Sequence, residues 1–197
     1  MKTYSGFTTD TPDELLLDAG AFFVNYTVGT DTYESARAAG KLLGATRGGG
    51  EFKAGMSIRN IEVDGVKGRA KGLERNDGWD IYLKATVLSV NEDAIKYGLA
   101  AADVDTASTV STVHDVITGI NEIELTDYID NITWIGTLSG SEEPVIIQIF
   151  NALNVDGLTL AVSDKNEATM AMTFQAHFDG EDLETPPFKI WYPKSVG

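Results

Sequence analysis

Three consecutive glycines, Gly48 to Gly50, follow an arginine in the segment KLLGATRGGGEFKAG, residues 41 to 55. Glycine-rich turns can cradle phosphates, so this stretch is the first to test for chemistry. A P-loop requires G-x-x-x-x-G-K-[ST]. Counting from Gly44, the sixth position is Gly49, but Gly50 and Glu51 stand where Lys and Ser/Thr belong. A dinucleotide fingerprint requires G-x-G-x-x-G, and after Gly48 and Gly50 the third glycine is replaced by Lys53. Neither phosphate reading holds. The absence of cysteine removes disulfides, thiol nucleophiles and cysteine-ligated zinc. His114 and His177 are the only histidines and form no H-E-x-x-H pair. The segment ending in NVDG would need acidic first and twelfth ligands to be a calcium loop, but it offers Ala152 and Ser163. No G-x-S-x-G elbow is present. Among 30 acidic residues some carboxylates must fall close together, so no glycosidase pair stands out. No catalytic, cofactor-binding or metal-ligating residue is assigned, no cofactor is expected, and the chain is expected not to be an enzyme.

The elements around these residues are mainly strands. Period-two alternation recurs in AFFVNYTV, which places Phe22, Val24, Tyr26 and Val28 on one face. It recurs in WDIYLKATV, with Trp79, Ile81, Leu83, Ala85 and Val87 together, and in NITWIGTL, with Ile132, Trp134 and Leu138 together. In ATMAMTFQAHF, Ala168, Met170, Met172, Phe174, Ala176 and Phe178 point one way, which leaves His177 on a polar, solvated face. The apolar run PVIIQIF predicts a strand covered on both faces. Asp156-Gly157 predicts a tight hairpin, so residues 129 to 178 read as a four-strand antiparallel meander. Asp64-Gly65 predicts another turn. Three helices are expected: TPDELLL capped by Thr11, DTYESARAAG opened by Asp31, and residues 91 to 103 with Ile95, Leu99 and Ala102 inward. Residues 103 to 113 read as a mobile loop. The fold class expected is mainly β: two antiparallel sheets packed as a sandwich or barrel, with a flanking helix.

The 197 residues suit one domain with extended arms. Surface scaling gives about 9,000 Å² exposed for a compact chain of this mass. No apolar run is long enough to span a bilayer, and the N-terminus lacks the apolar core of a signal peptide, so a soluble product made in a cytoplasm is expected. The net charge is −15, from 15 basic and 30 acidic residues, which disfavours DNA wrapping or sequence-specific binding. The glycine-rich stretch then reads as a surface hairpin. Phe52, Met56 and Ile58 on it would need a partner surface, which points to self-assembly.

The ordered set LLLDAGAFF, KLLGATRGGGEF, IEVDGVKGRAKGLE, DNITWIGTLSGSEEPVIIQIFNALNVDGLTL and DLETPPFKIWYP resembles the major tail (tube) protein of long, non-contractile-tailed bacteriophages of Gram-positive hosts. The resemblance covers nearly the whole chain. It implies a structural virion protein that self-assembles, six copies to a ring, with rings stacked into the tail tube through which DNA is ejected. It implies a single tail-tube domain over 1–197, with an N-terminal arm at 1–10, a long protruding loop at 44–58 and a C-terminal arm at 184–197. The inter-ring contacts it implies are Arg47, Gly48, Gly49, Gly50, Phe52 and Met56, so that Phe52→Asp would leave a folded monomer unable to build tubes. The partners implied are further copies of the chain, a tape-measure protein, the tail terminator and distal tail proteins. DNA would pass without specific binding, and no membrane is involved. Alternatives are the inner tube of a contractile tail or injection machine, and a β-sandwich binding module marked by a solvent-facing aromatic platform, for which Trp191 is the candidate.

Overall fold

The computed structural model describes residues 4–107 and 113–194. Its ten strands, in chain order, are β1 (Leu16–Val24), β2 (Thr46–Asn60), β3 (Glu74–Val87), β4 (Ala102–Asp105), β5 (Val116–Gly119), β6 (Ile129–Leu138), β7 (Val145–Asn154), β8 (Thr159–Ala161), β9 (Thr169–Gln175) and β10 (Phe188–Trp191). Two helices, α1 (Tyr33–Ala38) and α2 (Glu92–Leu99), lie between them. Eight strands form one antiparallel sheet in the order β1-β6-β7-β9-β3-β2, with β10 beside β7 and β8 beside β9. β4 and β5 make a separate two-stranded sheet.

The large sheet folds over on itself. Phe22 and Val24 of β1, Ile132 of β6 and Ile149 of β7 share one buried cluster with Ile81, Leu83 and Val87 of β3 and with Met170, Met172 and Phe174 of β9. Side chains of this size contribute about 1.5–3 kcal/mol each when buried, so this cluster dominates the stability. The alternation expected in β3 and β9 is present: Ile81, Leu83, Ala85 and Val87 are all buried, as are Met170, Met172, Phe174 and Ala176.

β7 makes the fold-over possible. It pairs with β6 along most of its length, with β10 through Ile146–Ile149, and with β9 only at Leu153 and Asn154. Its backbone turns at Asn151, which has φ +48°. The polar residues Gln148, Asn151 and Asn154 brace it. Gln148 donates to the Tyr26 carbonyl at 2.8 Å and to Thr133 Oγ1 at 2.9 Å. Asn151 donates to the His177 carbonyl at 3.2 Å, while His177 Nδ1 lies 2.9 Å from the Asn151 carbonyl. Asn154 donates to the Gly98 carbonyl at 2.7 Å and accepts from Thr173 N–H at 2.9 Å.

Several expectations are corrected. Residues 129–178 are not a simple meander, because β8 pairs with β9 and not with β7. Gly157 takes φ +69°, but the Asp156-Gly157 turn carries the chain across to the edge of β9 that β7 leaves open. Tyr26 and Val28 do not share a face with Phe22 and Val24. β1 ends at Val24, Asn25 takes φ +53°, and both residues swing into a second cluster with Phe23 and Ala36. TPDELLL makes only a short 3-10 turn, Thr11–Asp13, before Leu16 and Leu17 enter β1. α1 is capped by Thr32 with Ser35 in reciprocal bonds, while Asp31 accepts from Thr27 N–H and Lys41 Nζ. α2 stops at Leu99, where Ala100 takes φ +68°, and it buries Ala94 and Gly98 in place of the expected Ile95 stripe. The loop expected at 103–113 begins as β4, and its residues 108–112 lie outside the described residues. Residues 188–191 of the expected C-terminal arm are β10, a full member of the sheet.

Asn154→Ala strands the Thr173 N–H and the Gly98 carbonyl in the core, so a loss of about 1–3 kcal/mol is expected in urea unfolding. Lys41 and then Thr27 N–H hold the Asp31 carboxyl below its ordinary value, so its stabilisation is present above about pH 3.9 and lost as pH falls through the lowered folded value. Asp31→Asn should therefore lower the melting temperature at neutral pH, and the gap from wild type should close with acidification below that point.

Candidate assembly surface

β2 and β3 form a long hairpin, paired from Thr46 with Val87 out to Asn60 with Glu74. The expected loop over 44–58 is thus a strand from Thr46 onward. The turn lies at residues 61–73, where Ile61 N–H bonds the Leu73 carbonyl and Val66 N–H bonds the Val63 carbonyl around Asp64-Gly65. β9 pairs with β3 only from Tyr82 to Val87. Among the described residues, the outer part of the hairpin, beyond Gly55 and Asp80, therefore has no third strand beside it. The outward face carries charges in pairs: Lys53 with Asp80, and Arg59 with Asp77 at 2.7 Å. The hydrogen bond from Lys53 holds the Asp80 carboxyl down, and that to Asp80 holds the Lys53 ammonium up. Tyr82 donates to Glu51 at 2.9 Å, and Lys84 sits 4.7 Å from the Tyr82 ring.

The glycine run has an internal role. The β2–β3 register shifts between Thr46 and Gly50, and Gly48 and Gly49 there take φ +78° and +72°. A Cβ on Gly50 would lie 2.3 Å from Phe22 Cζ and 2.4 Å from the Lys84 carbonyl oxygen. Only glycine lets β2 cross this closely above the Phe22 ring. β1 bulges opposite, between Leu17 and Ala21, and Trp134 there donates its indole N–H to the Ala19 carbonyl at 2.9 Å. The two end strands of the large sheet meet around these bulges, leaving a groove of about 570 Å³ that Asp18, Phe22, Phe52 and Trp134 help to line.

The six residues expected at an assembly contact therefore separate. Gly48, Gly49 and Gly50 shape the closure of the sheet. Phe52 packs against the core and lies 5.9 Å from Phe188, which in turn lies 5.4 Å from Trp79. Placing a carboxylate at Phe52 is therefore expected to destabilise the fold, so Phe52→Asp would not report on assembly alone. Arg47 is paired within the chain to Glu167. Met56 is 52% exposed and its neighbour Ile58 equally so, which leaves these two as the exposed large apolar side chains of the hairpin's strands, with Val63 and Val66 exposed on its turn. In the N-terminal segment Tyr4 is 93% exposed and Phe7 69%.

His177 departs from the solvated histidine expected. It is partly buried, edge-on to Tyr128 at 5.1 Å, and tied to Asn151. Among the described residues no cluster of three or more metal-ligating side chains occurs, and no helix is long and apolar enough to cross a membrane. A second groove, of about 570 Å³, brings Tyr33, Trp191 and Tyr192 together beside Glu143. The sequence pointed to Trp191 but not to its partners, which arrive from another part of the chain. No protein-family model matches the chain, and no curated protein matches it.

Gly50→Ala should cost about 1–3 kcal/mol through overpacking against Phe22. Gly65→Ala, where a Cβ meets nothing, is the paired control for the glycine run: it should lose only about 1 kcal/mol to its positive φ of +85°. Chemical denaturation of the two variants separates packing from backbone strain.

Proposed function

We propose that this chain is the tube subunit of a phage tail, a structural virion protein that assembles with copies of itself into stacked rings forming the conduit for DNA ejection. The observation that carries the reading is surface. The folded chain exposes 13,443 Å², about half as much again as the ~9,000 Å² that scaling gives for a compact monomer. Such an excess suits a protein whose partner surfaces are further copies of itself. Part of it sits on the projecting hairpin, with Met56 and Ile58, and on the extended N-terminal segment, with Tyr4 and Phe7. The free edge of the 15-residue β2 offers unpaired backbone donors and acceptors, which a neighbouring edge would satisfy and closed symmetry would protect. The ordered segments that resemble tail-tube proteins, and a mainly antiparallel β architecture, agree with this reading. An inner tube inside a contractile tail is the neighbouring reading, which a sheath gene beside this one would favour.

The aromatic groove of Tyr33, Trp191 and Tyr192 supports a second reading, a β-sandwich binding module. Negative-stain electron microscopy with sedimentation velocity decides between the two. Hollow tubes or rings are expected, and Met56→Asp combined with Ile58→Asp should reduce assembly at least ~10-fold while the melting curve stays close to wild type. A concentration-independent monomer whose Trp fluorescence responds to an oligosaccharide would favour the binding module.

A further inference from the structure

The basic residues of this acidic chain are not evenly spread. The turn at the end of the β2–β3 hairpin ends in GVKGRAKGL, Gly65 to Leu73, where Lys67, Arg69 and Lys71 cluster, after Glu62 and Asp64 at its start. All three cations are exposed. They stand beyond about five residue pairs that lack a third strand, which at ~3.3 Å per residue is a reach of about 16 Å.

Elsewhere on the molecule a cleft of about 1,100 Å³ is lined by Asp10, Asp13, Glu14, Glu142 and Glu143, with Tyr192 at its side. A single cation, Lys194, lines it as well. The cleft is built rigidly. Its two walls, the turn at residues 10–14 and the β6–β7 turn, are fastened by Gly140 N–H to the Asp13 carbonyl at 3.0 Å and by Ser139 N–H to the Leu15 carbonyl at 2.9 Å. Leu15 N–H also donates to Ser139 Oγ at 3.0 Å. A Cβ on Gly140 would come within 2.5 Å of Asp13, so the walls touch directly. The four ion pairs among the described residues use Lys41, Arg47, Lys53 and Arg59, and none involves either patch.

We propose that the hairpin tip of one copy docks, through Lys67, Arg69 and Lys71, in the acidic cleft of a second copy. This deepens the proposed function and rests on its claim that the chain associates with itself. The argument is charge complementarity between two preformed patches that do not neutralise each other within one chain. A nucleic acid is the poorer occupant of the tip, because the −15 body behind the three cations repels a polyanion. Tip and cleft are different surfaces, so the contact is heterologous: every copy offers one of each, and repetition builds a ring or a filament.

The test is a charge exchange, read by sedimentation velocity and electron microscopy at low and at ~0.5 M salt. One variant carries K67E, R69E and K71E; the other carries D13K, E14K and E142K. Each alone should associate at least ~10-fold more weakly than wild type, and an equimolar mixture should recover association, because each variant's tip then faces a cleft of opposite sign. Raising the salt should weaken wild-type association as the screening length falls from ~10 Å towards ~4 Å. Recovery in the mixture cannot come from misfolded chains, so it also controls for folding. Undiminished tubes from both variants would overturn the docking and leave the tube reading intact. Salt-sensitive oligomers that are lost in each variant and restored in the mixture, but never form rings or tubes, would support the docking and overturn the tube reading. A wild-type chain that stays monomeric at all concentrations and salts would overturn both. Loss of binding to a labelled DNA duplex in the tip variant, with self-association unchanged, would assign the tip to nucleic acid and overturn the docking.

Discussion

A single strand has to serve both halves of this molecule. β7 is held by β6 on one edge, and on the other edge first by β10 and then by β9, so the sheet can fold over only if β7 bends without losing its backbone partners. An unpaired backbone amide in the interior costs about as much as a lost hydrogen bond, which makes the bend expensive by default. At the bend Phe150 N–H donates to the Pro187 carbonyl and the Phe150 carbonyl accepts from His177 N–H, while the side-chain amides of β7 satisfy backbone groups of the segments packed on it. Gln148, Asn151 and Asn154 recur at three-residue intervals and reach Tyr26, His177, Gly98 and Thr173. The second hydrophobic cluster, the seating of α2 and the approach of β9 to β7 all lie along this path.

Folding the sheet over brings its end strands together, and there the limit becomes steric. Phe22 sits under β2, Trp134 lies over Gly20 and Gly136, and a Cβ at either of these glycines or at Gly50 would fall inside contact distance. The glycine run that resembled a phosphate cradle is thus a packing device. It lets two strands approach over large aromatic rings without forming a ladder between them. The sheet stays open there, and the outer edge of β2 stays unpaired.

That incomplete closure joins the fold to the proposed assembly. A sheet closed on itself would have no edge to offer, whereas this one leaves a 15-residue strand, a projecting hairpin and an extended N-terminal segment in solvent. Charge follows the same division. The hairpin stem neutralises its own charges in cross-strand pairs such as Lys53 with Asp80, while the tip gathers three cations that form no ion pair among the described residues. Paired charges keep a strand face soluble at little energetic gain, whereas unpaired, segregated ones supply steering and specificity between molecules.

Strand existence was legible in the sequence wherever one face is buried, because alternation with period two records that burial directly. The residues from Trp79 to Val87 and from Met170 to Ala176 fall as the pattern requires. The apolar run at 145–150 marked a strand covered on both sides, and the missing cysteines and scattered histidines left no motif for catalysis. What the pattern missed were the points where backbone conformation changes the face. Asn25 and Ala100, both at positive φ, redirect Tyr26 and end α2, and nothing in a hydropathy period reports a dihedral angle. The glycine run was visible, but its purpose was not, since that depends on Phe22 approaching from a distant strand. The sequence by itself set the acidity through composition and the mainly β character through alternation. Tertiary structure alone decided that Phe52 packs against the core while Met56 stays exposed, because burial depends on which neighbours the fold brings up: Phe188 arrives beside Phe52, and among the described residues no third strand pairs alongside Met56.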